Sequence, residues 1–182
     1  MTKKIGVLVG SLRNGSYTES VAKKAIDLLP EGYEGQILDI SNLKFYNEDL
    51  DTETTVDPTY QALRDELEEV DGVVFATPEY NRSVPALIKN AIDVGSRPYG
   101  QSKFEGKPAL VIGVSPGAYG AFGANHHLRQ SLVFLDMPVV QQPEAYLANI
   151  TEYMENGEVT NPQTIELLQS VVDRFVDLVE RY

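Results

Sequence analysis

Residues 10–18, with the sequence GSLRNGSYT, have the composition of an anion-binding loop. They follow the apolar run IGVLV, which predicts a strand, and they lead into a predicted helix. Unpaired backbone N–H groups and the positive end of the helix dipole favour an anion at such a position. Further donors come from three hydroxyl groups and one guanidinium: Ser11, Ser16, Thr18 and Arg13.

A terminal phosphate monoester fits this donor set best. The loop lacks the lysine of a Walker A sequence and the glycine spacing of a dinucleotide fold, so neither common nucleotide fingerprint is present. The alternative is purely structural: Ser16 or Thr18 caps the helix and Arg13 points into water.

A second loop, residues 77–85 (TPEYNRSVP), follows the apolar run GVVFAT. Its two prolines fix backbone φ and remove two donors, so the loop between them is stiff. Such a turn can present backbone amides and the aromatic face of Tyr80 to a flat heterocycle, with Glu79 and Asn81 beside it. The alternative is a rigid strand-to-helix connection with an exposed tyrosine.

A third loop, residues 115–123 (SPGAYGAFG), follows the apolar run ALVIGV and contains three glycines. Glycine allows a backbone to approach a ligand closely, although it is equally common in tight turns. Three such loops at one edge of a sheet are a stronger indication of a binding site than any one of them.

The apolar spacing predicts five short strands alternating with helices. The predicted strands are residues 4–10, 36–40, 72–77, 109–114 and 137–140, and the predicted helices are 16–29, 60–70, 85–94, 121–135 and 164–179. Ser83 is the expected cap of the third helix. This alternation predicts an α/β three-layer sandwich, in which a five-stranded parallel sheet of order 2-1-3-4-5 has helices on both faces. Ligands then bind beyond the carboxyl ends of strands one, three and four.

Composition limits the classes of protein and partner. The 182 residues are 42% hydrophobic and 23% charged, without a repeat or linker, which predicts a single domain over residues 1–182. The net charge of −12, with no offsetting basic block, argues against nucleic acid or an anionic membrane as a partner. There is no cysteine, no apolar run long enough to span a bilayer, and no signal-peptide pattern, so we expect a cytoplasmic protein.

Three stretches together resemble a known family: IGVLVGSLRNGSYTESVA, FATPEYNRSVPALIKNAIDVGSRP and GVSPGAYGAFGANHHLRQSLVFLDMPVV. The chain is similar to the NAD(P)H-dependent FMN reductases of the flavodoxin-like superfamily, a group that includes bacterial chromate, quinone and azo-dye reductases. The middle stretch, with PEYN, KNAID and SRP, is the most specific.

The resemblance implies positions for FMN. Around the phosphate it places Ser11, Arg13, Ser16, Tyr17 and Thr18. Beside the isoalloxazine ring it places Pro78, Glu79, Tyr80 and Asn81 from the second loop and Ser115, Gly117 and Tyr119 from the third. NADPH or NADH would be the electron donor, and a quinone, azo dye, chromate or free flavin the acceptor. No side chain is expected to act as a catalytic acid or base, since the flavin carries the hydride.

The sequence departs from the family at several positions. Members often have Gly where Ala86 stands, Trp near Val94, and a Gly-Gly pair followed shortly by Arg where this chain has Gly120-Ala121 and then Gly123. Because an arginine is one way to hold the extra phosphate of NADPH, its loss leaves the choice between NADPH and NADH open.

Other interpretations stay open beside the reductase. A flavodoxin-type electron carrier that docks on protein partners would suit the acidic charge, and a nucleotide-binding regulatory module would bind without turnover. We expect no metal at His126 and His127, because adjacent helix residues point in different directions. The acidic run EDLDTETTVD is expected to be a solvated loop, with a contact to a partner subunit as the alternative. HHLRQSLVFLD packs in the core or, as the family resemblance favours, forms part of a homodimer or homotetramer interface.

Overall fold

A computed structural model describes residues 2–182 and has a five-stranded parallel sheet with helices on both faces. The strands of the sheet are β1 (Lys3–Val9), β2 (Tyr33–Ile37), β3 (Gly72–Thr77), β4 (Ala109–Val114) and β5 (Ala145–Leu147). The helices are α1 (Tyr17–Asp27), α2 (Pro58–Glu68), α3 (Ala86–Gly95), α4 (Phe122–Phe134) and α5 (Pro162–Val179). The order β2-β1-β3-β4-β5 confirms the predicted topology.

Two apolar clusters hold the layers together, one on each face of the sheet. The first contains Val21 of α1 and Phe175 of α5, and the second contains Leu63 of α2, Ile88 of α3 and Leu128 of α4. Every residue of β3 and β4 is buried, which is why their sequences are continuously apolar. The central strands are therefore rigid supports for the loops that follow them.

Two predicted strands were displaced along the chain. The second was expected at residues 36–40, but β2 begins at Tyr33, directly after the turn at Gly32, and pairs with Lys3–Val7 of β1. The fifth was expected at residues 137–140, where Val139 makes only an isolated bridge to Ala109. Prolines at 138 and 143 have no N–H for the ladder, so pairing stops and resumes at β5.

The acidic segment before α2 is more structured than predicted. A short 3₁₀ helix, Glu48–Leu50, leads to Asp51. The carboxylate of Asp51 forms a bidentate ion pair with Arg64 of α2, with N···O distances of 2.7 and 2.6 Å. Both side chains are almost completely buried. The expectation of a purely solvated loop was therefore wrong at Asp51 and at Asp57, which is also buried and caps α2. A small hairpin, β6 (Met154–Glu155) with β7 (Glu158–Val159), was also not predicted.

Candidate functional site

The three predicted loops come together at the carboxyl edge of the sheet. The first two are in direct contact: the N–H of Gly10 donates to the carbonyl of Ala76 at 2.9 Å. A Cβ at Gly10 would lie 2.7 Å from Cδ of Pro78, so only glycine permits this approach. The loop after β1 is therefore packed against the stiff loop after β3.

The loop after β1 presents free backbone donors. Within residues 2–182, the following N–H groups have no hydrogen-bond acceptor: Ser11, Leu12, Asn14, Gly15 and Ser16. They lie in the loop that leads into α1, whose dipole adds partial positive charge at the end of this loop. A set of adjacent free N–H groups at a helix start is suited to an oxyanion with several acceptor oxygens.

Ser16 and Thr18 fix the start of α1. The hydroxyl oxygen of Ser16 accepts the N–H of Glu19 at 3.3 Å, so Ser16 does cap the helix. The capping role does not consume its O–H proton, which remains available as a donor. Thr18, two residues further on, is also buried.

Arg13 is held by its own loop and does not point freely into water. Its guanidinium donates to the carbonyl oxygens of Asn14 at 3.2 Å and Gly15 at 2.5 Å, and it lies 4.6 Å from the centroid of the Tyr17 ring. Since a guanidinium has five N–H donors, further ones remain. The ring of Tyr17 therefore helps to hold the positive charge of Arg13 beside the free N–H groups.

The loop after β3 is a tight hairpin. Tyr80 and Ser83 exchange two backbone hydrogen bonds of 3.1 Å, and the two central residues, Asn81 and Arg82, have φ of 51° and 64°. Positive φ at both central positions is the conformation of a type I′ turn. Arginine is unusual in the left-handed region, and strained backbone of this kind is concentrated at functional sites.

The turn also determines which backbone donors stay free. The N–H of Tyr80 bonds to Ser83, whereas the N–H groups of Glu79 and Asn81 have no acceptor within residues 2–182. Tyr80 itself is half exposed. The loop thus offers two backbone donors and an aromatic face.

Ser83 does not cap α3, which corrects the sequence prediction. The N-cap position is Pro85, without a side-chain cap, and the hydroxyl of Ser83 lies 2.9 Å from Nδ1 of His127 on α4. Ser83 is committed to the hairpin by its backbone, so its side chain faces α4 and not the start of α3.

The loop after β4 is anchored by β5. Ser115 donates its N–H to the carbonyl of Leu147 at 2.9 Å, and its hydroxyl oxygen accepts the N–H of Gly117 at 3.0 Å. The carbonyl of Gly117 in turn accepts the N–H of Asn149 at 3.1 Å. Tyr119, at the tip of the loop, is 67% exposed.

Side chains join the second and third loops. The carboxylate of Glu79 accepts the N–H of Ala124 at 3.2 Å, at the start of α4. The guanidinium of Arg82 lies 4.8 Å from the ring centroid of Tyr119. A Cβ at Gly123 would meet the carbonyl oxygen of Arg82 at 2.8 Å, so this contact requires glycine. The two loops therefore form one continuous rim.

An aromatic cluster lies beside this rim. The ring of Phe122 is 4.3 Å from His126 and 5.3 Å from Tyr146, whose hydroxyl donates to the carboxylate of Glu144 at 2.7 Å. Burial, followed by the Glu144 hydrogen bond, raises the pKa of Tyr146 to about 12, so the phenol stays neutral. Within residues 2–182, no group of three or more His, Asp or Glu side chains is placed to hold a metal ion.

The departure at Ala121 has a structural cost. This residue precedes α4 with φ of 61° and is almost completely buried. An L-residue in the left-handed region is strained by about 1 kcal/mol, which glycine would avoid. The rest of the loop retains its glycines, so the rim keeps its shape despite the substitution.

Free N–H groups and exposed aromatic rings side by side are chemically suited to a phosphate group joined to a planar heterocycle. A family model described as NADPH-dependent FMN reductase matches residues 3–152. The chain belongs to this family. The protein is therefore an oxidoreductase that uses FMN as cofactor and NAD(P)H as electron donor. The resemblance found in the sequence is confirmed.

Several relatives cover almost the whole chain. A quinone reductase of Pseudomonas putida is 52% identical over 176 residues, covering 97% of this chain and 94% of the relative. A 2-hydroxy-1,4-benzoquinone reductase of Burkholderia is 37% identical over 176 residues, covering 96% of this chain and 95% of the relative. The solved structure of FerB, a flavoenzyme NAD(P)H:(acceptor) oxidoreductase from Paracoccus denitrificans, is 41% identical with a TM-score of 0.89, covering 99% and 98% of the two chains.

Sequence reasoning missed two features of this site. The side chain of Glu79 bonds to α4, 45 residues further along the chain, and no local pattern indicates such a contact. Asn81-Arg82 lacks the glycine that usually marks a type I′ turn, so the hairpin also gave no signal. For the described part of the chain, no helix has the length and apolar character needed to cross a membrane.

Proposed function

We propose that this protein is a quinone reductase, which passes electrons from NAD(P)H through FMN to a small planar acceptor. The observation that carries the proposal is the arrangement of the three loops. Free backbone donors that suit a phosphate lie next to exposed aromatic side chains of the rim. The names of the relatives, quinone reductase and 2-hydroxy-1,4-benzoquinone reductase, support the choice of acceptor. An azo dye, chromate or free flavin can be reduced at the same exposed site.

The phosphate of FMN lies in the loop after β1. The free backbone N–H groups of this loop surround it, and side chains complete the site: Ser11, Arg13, Ser16, Tyr17 and Thr18. Arg13 supplies the balancing positive charge, and Tyr17 holds the guanidinium in place. These contacts hold the cofactor by its phosphate and do not recognise its ring.

The ring of FMN lies between the other two loops. Pro78, Glu79, Tyr80 and Asn81 would hold it from the second loop, and Ser115, Gly117 and Tyr119 from the third. The free N–H groups of Glu79 and Asn81 would donate to its heteroatoms and would stabilise added negative charge. When bound, FMN supplies the chemistry that exchanges a hydride with the nicotinamide and electrons with the acceptor. No side chain is assigned as a catalytic acid or base.

A flavodoxin-type electron carrier is not favoured, because the similar proteins named above are reductases. Anaerobic addition of NADH or NADPH tests the proposal. We expect the absorbance of the bound flavin near 450 nm, a property of flavins in general, to bleach within seconds to minutes, and a naphthoquinone to restore it, because both substrates reach the open mouth.

The alternatives give different results in that experiment. A carrier would hold coloured flavin that neither nucleotide bleaches, and a regulatory module would bind nucleotide without oxidising it. Either result would remove the proposed function. Comparison of the bleaching rates with NADH and NADPH, measured in separate samples, also decides which donor is preferred.

The proposed enzyme is a cytoplasmic single domain spanning residues 1–182, and it forms a homodimer or homotetramer. The end of α4 supports the oligomer, because Val133 and Phe134 are each 75% exposed although apolar. A partner subunit covering this end of α4 would remove that apolar surface from water.

Sedimentation velocity checks the oligomer. Phe134→Glu places a charge on the exposed apolar end of α4, and we expect it to shift the protein toward smaller assemblies. Tyr182→Glu is the control, since Tyr182 is similarly exposed but lies outside α4, at residue 182. A monomeric unaltered protein, or an unchanged mass in Phe134→Glu, would contradict this interface.

A further inference from the structure

Arg82 is a cation at the mouth of the candidate site to which the functions above assign no role. Its side chain is 72% exposed, in contrast to that of Glu79, which is 12% exposed. It occupies a strained position, with φ of 64°, between the predicted ring-binding residue Asn81 and the hairpin partner Ser83. The turn directs this guanidinium toward Tyr119, across the rim from its own loop.

The charge of Arg82 is not cancelled by its acidic neighbour. Glu79 is 3.5 Å away, but its other carboxylate oxygen accepts the N–H of Ala124 at the start of α4. The positive end of that helix dipole offsets part of the charge of the carboxylate. The guanidinium keeps N–H donors that face solvent, while its flat face lies on the ring of Tyr119.

Positive charge is scarce in this protein and in the three loops of the site. The protein has a net charge of −12, so its overall field repels anions. The three loops of the site contain two arginines and no lysine, and Arg13 donates to carbonyl oxygens of its own loop. Arg82 is thus the positive group of the second loop, and its guanidinium lies 4.8 Å from the exposed ring of Tyr119.

We propose that Arg82, stacked on Tyr119, selects planar acceptors that carry a negative charge, such as quinones with a sulfonate, carboxylate or ionised hydroxyl group. The inference rests on the proposed quinone reductase function. The guanidinium pairs with the anionic substituent, and the aromatic rim contacts the ring of the acceptor. In the reaction, a hydride from NAD(P)H and one proton from solvent convert the quinone to a hydroquinone and leave NAD(P)⁺.

The test compares two acceptors of similar shape in the FMN-loaded enzyme. One is 1,4-naphthoquinone-2-sulfonate, which is an anion, and the other is the neutral 2-methyl-1,4-naphthoquinone. For Arg82→Gln we expect the ratio of kcat/KM for the anion to that for the neutral quinone to fall about tenfold, as for loss of an exposed charge-assisted contact. Glutamine is unbranched at Cβ, as arginine is, so the turn can form in the variant.

Two further variants separate charge from geometry. Arg82→Lys keeps the charge but lacks the flat guanidinium, and we expect a ratio between those of the unaltered enzyme and Arg82→Gln. Arg174→Gln on α5 removes the same charge from an exposed position, so we expect it to leave the ratio as it is. A ratio that stays constant in Arg82→Gln, or that falls as much in Arg174→Gln, would overturn the inference.

A binding measurement gives a readout that does not need turnover. Naphthalene-2-sulfonate cannot accept electrons as a quinone does, and calorimetry can follow its binding to the FMN-loaded protein. We expect its Kd to rise about tenfold in Arg82→Gln and its salt dependence to weaken. Identical affinity in the two proteins would contradict the role of Arg82. Failure of the unaltered enzyme to reduce either quinone would instead contradict the proposed function, and the binding experiment would still test Arg82.

Discussion

At the scale of single residues, the proposed contact of Arg13 with the cofactor phosphate depends on the geometry of its loop. Its guanidinium is bonded to the carbonyl oxygens of Asn14 and Gly15 and stacked on Tyr17, so it is already positioned before any anion arrives. Pre-positioned groups lose little conformational entropy on binding. A phosphate beside Arg13 therefore gains a charge-assisted contact at low cost.

We expect Arg13→Ala to weaken FMN binding by about 1.5 to 3 kcal/mol, the usual loss for a hydrogen bond to a charged group. Titration of the apoprotein with FMN, followed by quenching of flavin fluorescence, measures this change. Arg174→Ala is the control, since it removes an exposed arginine from α5. Equal FMN affinity in Arg13→Ala and the unaltered protein would show that the phosphate lies elsewhere.

The sequence predicted the local features of the site better than it predicted which distant residues contact one another. The free N–H groups after β1 follow from a strand, a turn and a helix start, all of which are local features. The contacts of Glu79 with Ala124 and of Ser83 with His127 join positions more than 40 residues apart. Such contacts depend on how α4 packs beside β3, and this packing is not encoded in any short stretch.

At the scale of elements, α2 begins with a charged cap. The carboxylate of Asp57 accepts hydrogen bonds from Nζ of Lys44 at 2.6 Å and from the hydroxyl and N–H of Thr59 at 2.7 and 2.9 Å. These bonds, of which that from Lys44 has the largest effect, lower the pKa of Asp57 from 3.8 to about 2. The cap therefore stabilises α2 in its ionised form.

The pH dependence follows from that shift. Because the pKa of Asp57 is lower in the folded protein, its contribution to stability is complete above about pH 4 and is lost as pH falls toward about 2. We expect the free energy of unfolding to decrease less between about pH 6 and about pH 3 in Asp57→Asn than in the unaltered protein. Urea unfolding at the two pH values measures it.

Asp27→Asn is the control for this prediction, because it removes the same charge from the end of α1. A decrease with pH as steep in Asp57→Asn as in Asp27→Asn would contradict the assignment. The test isolates the cap from the general effect of titrating an acidic protein.

Elements with strong periodicity were predicted within a few residues, whereas the edges of the sheet were not. The central strands β3 and β4 coincide with their apolar runs, because burial on both faces leaves a continuous signal. β2 and β5 are edge strands that are short and pair on one side, so pairing and not composition determines where they begin.

At the scale of the whole molecule, the sheet order was predictable because right-handed crossovers leave few arrangements of five parallel strands. That order places the loops after β1, β3 and β4 side by side, and so it creates the rim. The assembly of subunits was not predictable in the same way, since an exposed apolar helix end does not specify the geometry of its partner.

The account depends most directly on the binding of FMN at the carboxyl edge of the sheet. The decisive measurement is the visible absorption spectrum of the purified protein, taken before and after incubation with FMN and removal of excess flavin. We expect a flavin spectrum with one FMN per chain. A colourless protein that remains colourless after incubation with FMN would contradict the account.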